Sequence, residues 1–376
     1  MSNPFKYGTV VSGKDFADRQ EELKELRFRL KESVRIFLLA PRRYGKTSLI
    51  ENVLNALQKE DILIAYVDLY WATSARDFLE LYASKVMRGS KSIAGQAASF
   101  VKNLLPRLRP KLGFDPTGNP ELSLDIAEHR VPESVEELLN LPQRIAESEG
   151  KRFAVVFDEF QEIMKLNGGM LERQLRAAIQ RHTRVSYLFA GSKTHMLIDM
   201  VSDETRPFYQ MGTIMTLNKI PEADFSSFVR NKFTGSGQKI SRGALKKIIA
   251  ECENIPHYVQ LLSFNLWDHF QKVSNITQVH VEKALLMTLQ SQEPAYLTLW
   301  EGLTIHQKKT VKAAAELGGR LLTAKNSIQQ FNLESASNVS KSLNALRSKG
   351  ILRKEKKAYI FEDVFFGRWV EKIVQL

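Results

Sequence analysis

The chain has 376 residues, 43% of them hydrophobic, with 54 Lys and Arg against 42 Asp and Glu for a formal charge of +12. That length predicts two or three domains, and that apolar content is ample for packed cores. No run approaches ~18 consecutive apolar residues, so no membrane span is expected; the opening MSNPFKYG has no charged-then-apolar leader pattern; and a single cysteine, Cys252, excludes an internal disulfide and fits a reducing cytoplasm.

In chain order, Arg19 to Lys31 reads as a helix, Arg35 to Ala40 as a strand and Lys46 to Lys59 as a helix. Ile62 to Leu69 is a second strand and Ala75 to Met87 a further helix. A segment from about Gly89 to Val131 then interrupts the pattern. It is rich in Pro, Gly and charge, and is expected as a surface loop that orders on a partner. A helix over Ser134 to Glu149, a strand over Phe153 to Phe157 and a helix over Leu171 to His182 follow. Two more strands, Ser186 to Ala190 and Thr213 to Leu217, complete the series. This alternation predicts an α/β core with a mainly parallel sheet, with boundaries at 1–220.

Residues 221–295 repeat apolar positions at three and four, which predicts a helical lid. Residues 296–376 read as three helices, Gln307 to Leu317, Ser327 to Asn332 and Asn338 to Lys349, then Gly350 as a C-cap residue and a two-stranded wing. The buried-type setting of Cys252 predicts core packing rather than a nucleophile. No Cys/His cluster has zinc spacing, and no internal repeat is visible.

The chemistry sits at strand ends. The run VRIFLLA enters a tight loop, Pro41, Arg42, Arg43, Tyr44 and Gly45, which opens the next helix at Lys46, Thr47 and Ser48. Strand, loop and helix in this order make a P-loop, although Ala40 stands where the strict pattern has Gly. N–H groups of the loop and helix start can point at a polyphosphate. Lys46 would reach the β- and γ-phosphates, and Thr47 would offer its hydroxyl to Mg²⁺. Gly45 is expected to let the backbone approach phosphate without a Cβ clash.

A second motif, FAVVFDEFQEI, ends its strand in Asp158 and Glu159. Asp158 is placed for the Mg²⁺ shell, and Glu159 to orient or deprotonate the attacking water. Asp68, at the end of the Ile62 strand, is a further candidate at this margin. Ser192, after the strand SYLFAG, is a candidate γ-phosphate sensor and equally a strand-end turn residue. Arg206 is the best candidate for an arginine that stabilises γ-phosphate charge.

APRRYGKTSL, VVFDEFQEI and LFAGS, in this order, resemble the archaeal-type ATPases of the STAND class, AAA+-related P-loop proteins. FADRQEELKEL resembles that family's F-x-x-R-x-x-E-L segment, which implies that Arg19 lies beside the adenine. ENIPHYVQLL resembles its G-N-P element, with Glu253 in place of the Gly, and implies that Pro256 and His257 abut the nucleotide. Arg42 and Arg43 are similar to the family's P-R-R variant of the loop. In the family an Arg lies just before the fifth strand, and Arg206 is offset from that place. The tail resembles its winged-helix domain, a module that contacts DNA or protein. The resemblance implies adenine rather than guanine, and the guanine-reading N-K-x-D signature is absent from the expected place.

Charge adds a second line. Residues 301–376 hold 14 Lys and Arg and 7 Asp and Glu, a net +7, and residues 88–114 hold six basic residues (Arg88, Lys91, Lys102, Arg107, Arg109 and Lys111) and no acid. Nucleic acid is the first anionic partner to consider. Asn338, Lys341 and Arg347 on the third helix, with Ser335 and Ser337, are candidate groove contacts. Arg353, Lys354, Lys356 and Lys357 on the wing are candidate phosphate contacts. The sequence therefore predicts a cytoplasmic, Mg²⁺-dependent ATPase acting as a nucleotide-driven switch, with a protein partner or self-association. The alternative is a DNA-binding ATPase resembling replication initiators or transposition regulators. A purely structural nucleotide module is disfavoured by the intact Asp158-Glu159 pair.

Overall fold

The computed structural model describes residues 2–17, 19–90, 109–114, 120–125, 131–166 and 169–375. Its contacts divide the chain into two units: Arg19–Asn218, and Met1–Asp18 together with Lys219–Leu376.

The first unit runs α1 (Gln20–Lys31), β1 (Arg35–Leu39), α2 (Lys46–Gln58), β2 (Leu63–Asp68), α3 (Ala75–Arg88), β3 (Arg109–Phe114), β4 (Pro120–Asp125), α4 (Val131–Leu139), α5 (Leu141–Glu149), β5 (Phe153–Asp158), α6 (Met170–Arg181), β6 (Val185–Gly191), α7 (Thr194–Ser202) and β7 (Thr213–Thr216). Five strands form one sheet in the order β2-β5-β6-β1-β7, every pair parallel. The central strands β5 and β6 are buried at every residue, as a parallel strand covered on both faces requires. The edge strand β2 instead alternates buried and half-buried positions.

Aromatic packing fills the core. Phe37 lies 4.6 Å from Phe189, and Phe160 lies 4.5 Å from Phe189, while Phe157 stacks between Tyr82 and Tyr187. Full burial of each such ring stabilises the fold by about 1.5–3 kcal/mol. His182 is buried at the end of this layer. Its Nδ1 meets the Tyr187 hydroxyl at 2.6 Å and its Nε2 meets Asn140 Oδ1 at 2.9 Å. Burial, with Arg35 and Arg181 nearby, pushes the His182 pKa down to about 4, so the ring is neutral at pH 7.

Four features depart from the sequence reading. The helix expected over Ser134 to Glu149 is two helices that break at Asn140, just ahead of Pro142. Helix α7 was not anticipated; its nine residues, THMLIDMVS, are too short for a strong periodic signal. The insertion was expected as a loop, yet its backbone pairs β3 with β4 in an antiparallel ribbon, Arg109 opposite Asp125 and Phe114 opposite Pro120. A two-stranded ribbon has a free edge on each strand, which tolerates Pro110 and Pro120. Lys91, Lys102 and Arg107 lie outside the described residues. Finally, the boundary drawn at 295/296 falls inside a continuous helix of the second unit.

That unit holds α8 (Glu222–Gly235), β8 (Lys239–Ile240), α9 (Arg242–Glu251), α10 (Pro256–His269), β9 (Asn275–Ile276), α11 (Gln278–Glu301), α12 (Ile305–Glu316), α13 (Lys325–Gln330), α14 (Ala336–Ser348), β10 (Leu352–Glu355), β11 (Ala358–Phe361) and α15 (Val364–Gln375). Helix α11 runs unbroken past Pro294. Tyr258 of α10 packs on Phe365, and its hydroxyl accepts a bond from the Val364 N–H at 3.1 Å. These contacts fasten α10 to the start of α15. Helices α12, α13 and α14 with the β10–β11 hairpin make the winged-helix order. Cys252 is fully buried in this unit. Among the described residues no helix is long and apolar enough to cross a membrane.

Candidate active site

The P-loop links β1 to α2. Arg43 has φ +71° and Gly45 φ +85°, both left-handed, with Tyr44 between them on the ordinary side. Such alternation turns successive N–H groups toward one concavity, a ready anion site at the start of α2. A Cβ added at Gly45 would meet nothing within 4 Å of it. Its left-handed φ by itself favours glycine at this position.

Arg19 secures the loop. It is 3% exposed, and its guanidinium donates to the Tyr44 carbonyl at 3.1 Å and to the Asn218 carbonyl at 2.8 Å. Glu22 closes the motif by pairing with Arg19 at 2.8 Å. The F-x-x-R-x-x-E-L segment thus braces the loop that holds phosphate. The resemblance places Arg19 beside the base; the structure gives its guanidinium bonds to two backbone carbonyls and to Glu22.

Lys46, at the first turn of α2, is 8% exposed. Its Nζ bonds both Asp158 and, at 2.7 Å, Glu159 Oε1. A buried ammonium is tolerable only when paired, and here two carboxylates share it. Asp158 accepts a further bond from the Tyr66 hydroxyl at 2.6 Å and one from the Glu159 N–H at 2.8 Å. Burial, reinforced by the Asp158 charge, raises the Tyr66 pKa, so the phenol stays protonated and acts as donor.

Glu159 sits in the left-handed region, φ +48°, an uncommon conformation for a non-glycine residue. Its Oε2 accepts bonds from Gln161 Nε2 at 2.5 Å and Ser192 Oγ at 2.8 Å. Burial pushes its pKa up, but the Lys46 charge and these donors prevail and hold it down at about 2. The carboxylate is ionised at neutral pH, as a base must be. Ser192 therefore joins the cluster through Glu159.

Thr47, Asp68, Asp158, Glu159, Arg42 and Lys193 line one cleft of about 640 Å³. Asp68 stands in register with Asp158 on the neighbouring strand, and burial raises its pKa. Among the described residues no three His, Cys, Asp or Glu side chains form a metal cluster. The donors fit a Mg²⁺ held by Thr47 and Asp158 together with nucleotide oxygens, since Mg²⁺ takes few protein ligands and keeps phosphate and water. Sequence reasoning missed Tyr66 and Gln161. Tyr66 was signalled only by its place on the face of β2 shared with Asp68; Gln161 carried no signal.

Arg206 does not join this group. Its guanidinium lies 3.7 Å from Glu172 Oε2 and 3.2 Å from Met164 Sδ. Glu172 is fully buried, and burial raises its pKa against the pull of Arg206. Both Glu172 oxygens lack a hydrogen-bond partner, so Arg206 is its nearby charge rather than a bonded partner, and the candidate arginine stands apart from the Lys46 cluster in this structure.

The remaining candidates belong to the second unit. Pro256 opens α10 at the first turn, and the His257 ring lies edge-on to Tyr258 at 5.3 Å. In the winged helix, Lys341, Arg347, Lys354, Lys356 and Lys357 are exposed. Arg353 instead pairs with Glu362 at 3.4 Å and Glu355 at 3.5 Å, so its predicted phosphate contact competes with two carboxylates. Asn338 donates to Glu334 at 2.8 Å.

Residues 16–240 match the model of an ATPase domain predominantly from Archaea. The chain belongs to that family. Residues 294–372 of this ATPase match a probable winged helix domain. No curated protein matches it. Among solved structures it is similar to a Walker-type ATPase of Pyrococcus abyssi, 16% identical, covering 98% of this chain and 99% of that one with a TM-score of 0.66. It is also similar to the ORC2 protein of Aeropyrum pernix in its ADPNP–ADP complexes, 15% identical, covering 99% and 97% at a TM-score of 0.59. The ORC1 protein of the same organism, solved with DNA, is 14% identical and covers 97% and 94% at 0.51. At these identities the likeness is one of fold: a parallel-sheet P-loop core followed by a winged helix.

Proposed function

We propose that the protein binds and hydrolyses ATP with Mg²⁺ as a slow, nucleotide-dependent switch of the STAND type. The observation that carries this reading is Lys46 shared between Asp158 and Glu159 beside the left-handed Arg43–Gly45 turn. An incoming triphosphate competes with the two carboxylates for Lys46. Thr47 and Asp158 would hold Mg²⁺, which would supply charge neutralisation at the transferring group. Arg42 and Ser48 flank the phosphates. Glu159, freed from Lys46, takes a proton from the attacking water. In this reading a core over 1–220, a lid over 221–295 carrying Pro256 and His257, and a winged helix over 296–376 pass nucleotide state to a partner. The buried thiol of Cys252 suits a cytoplasmic protein.

A second reading has the winged helix contact double-stranded DNA. It is favoured by the exposed Lys341, Arg347, Lys354, Lys356 and Lys357 and by the net +7 of residues 301–376. The ORC1 neighbour was solved with DNA, and we extend that partner to this chain only as a proposal.

ATP turnover by wild type and Glu159→Gln, with and without duplex DNA at two salt concentrations, tests both. Glu159→Gln is expected to bind ATP and hold it unhydrolysed; hydrolysis at the wild-type rate would remove Glu159 as base. Stimulation by DNA that salt suppresses selects the second reading, because phosphate contacts release counterions.

A further inference from the structure

We infer that Gln161 is a positioning residue that fixes Glu159 Oε2, leaving Oε1 as the atom that takes the proton from water. The inference rests on the reading of Glu159 as base. The two carboxylate oxygens are held by different means. Oε1 faces Lys46 Nζ at 2.7 Å, whereas Oε2 receives Gln161 Nε2 at 2.5 Å and Ser192 Oγ at 2.8 Å. The Lys46 bond is the one a phosphate can displace, since Lys46 is a P-loop cation and is already shared with Asp158. The Gln161 donor is a neutral amide buried in the turn after β5, so it stays with Oε2. When Lys46 turns to phosphate, Oε2 stays clipped by Gln161 and Oε1 is released to face water.

The fold is arranged around this clip. Gln161 is 1% exposed in the short helical turn after β5. Its amide must present nitrogen to Glu159, because a carboxylate only accepts. Its Oε1 then lies buried without a donor, against Gly191 at the end of β6. A Cβ on Gly191 would overlap that oxygen and reach Leu197 at 2.8 Å. The glycine of LFAGS is thus the space in which the Gln161 amide sits, and the serine after it is the second jaw. Holding Glu159 by Oε2 also supports its left-handed backbone, φ +48°.

Gln161→Leu removes the donor and keeps the buried volume. The expected result is a fall in kcat for ATP of about ten-fold or more with KM changed by less than about two-fold. A purely structural role would lower stability without this split between kcat and KM. Gln161→Asn, whose amide is one methylene too short, gives the same comparison if the leucine variant does not fold. With Ser192→Ala added, the losses should be larger than either alone yet not additive, because both donors act on one oxygen. A kcat within about two-fold of wild type in both Gln161 variants, while Glu159→Gln is inactive, overturns the inference and leaves Glu159 as base. Wild-type turnover by Glu159→Gln sinks the base assignment itself and this inference with it.

Discussion

The P-loop cluster and the winged-helix surface use charge in opposite ways. At the cluster, Lys46, Asp158 and Glu159 are buried or half-buried, and each carries at least two polar partners. Every group there is committed, and removing one strands another. On the wing and the third winged-helix segment, Lys341, Arg347, Lys354, Lys356 and Lys357 project into solvent. Each acts nearly alone, and screened surface charge contributes little to stability. A buried, mutually compensated cluster dictates its residue types. An exposed basic surface dictates only a sum, which is why the first reads as a motif and the second as a composition.

The largest expected break is Lys46→Ala. It should abolish nucleotide binding and turnover, and lower stability by about 3–5 kcal/mol, because Asp158 is left buried beside Glu159 with no cation. Isothermal titration with ATP and denaturant unfolding measure both, and ATP binding at wild-type affinity would contradict the site. Next comes pH. His182 has a folded pKa of about 4, below the ordinary value near ~6.5. Between those values the unfolded chain binds the extra proton, so stability is full above pH ~6.5 and falls as pH drops toward 4. About 2 kcal/mol should be lost by pH ~5 relative to pH 7, and a His182→Gln variant should lack that part of the slope. Urea melts at the two pH values decide it; parallel slopes for the two proteins would mean the ring titrates normally.

A smaller effect is expected from Tyr66→Phe, which deletes the phenol bond to Asp158. Stability should fall by about 1–2 kcal/mol and kcat several-fold, with nucleotide affinity little changed. An unaltered kcat would show that Asp158 needs no such support. Smallest in the ATPase assay is the wing. Substituting Lys354, Lys356 and Lys357 by Ala should leave turnover without DNA unchanged. If the winged helix contacts DNA, the same variant should lower the salt slope of binding by about 2–3. An unchanged slope would leave the wing to a protein partner.

Legibility followed the same division. The central strands β5 and β6 could be read from their apolar runs, because parallel strands covered on both faces must be apolar throughout, whereas the edge strands β2 and β7 are only partly buried. Lys46, Thr47, Asp158 and Glu159 could be read because strand ends and P-loop spacing place them. Sequence proximity said nothing of Glu172, the buried carboxylate on α6 that lies 3.7 Å from Arg206. Arg353 looked like a free wing cation until Glu362 was found beside it. Gln161 was silent, since a single polar residue next to a motif has no periodicity to betray it, and Tyr66 was marked only by sharing a strand face with Asp68. The β3–β4 ribbon was hidden by its prolines, which only an edge can accommodate.

What the sequence determined by itself was the order of elements and the chemical types at the strand ends, since both follow from local pattern and fixed spacing. What the tertiary structure alone decided was pairing: that two carboxylates share Lys46, which oxygen of Glu159 is clipped, and which acids lie beside Arg206 and Arg353. Pairing depends on approach between residues far apart in the chain, and that distance is set only when the sheet and its helices pack.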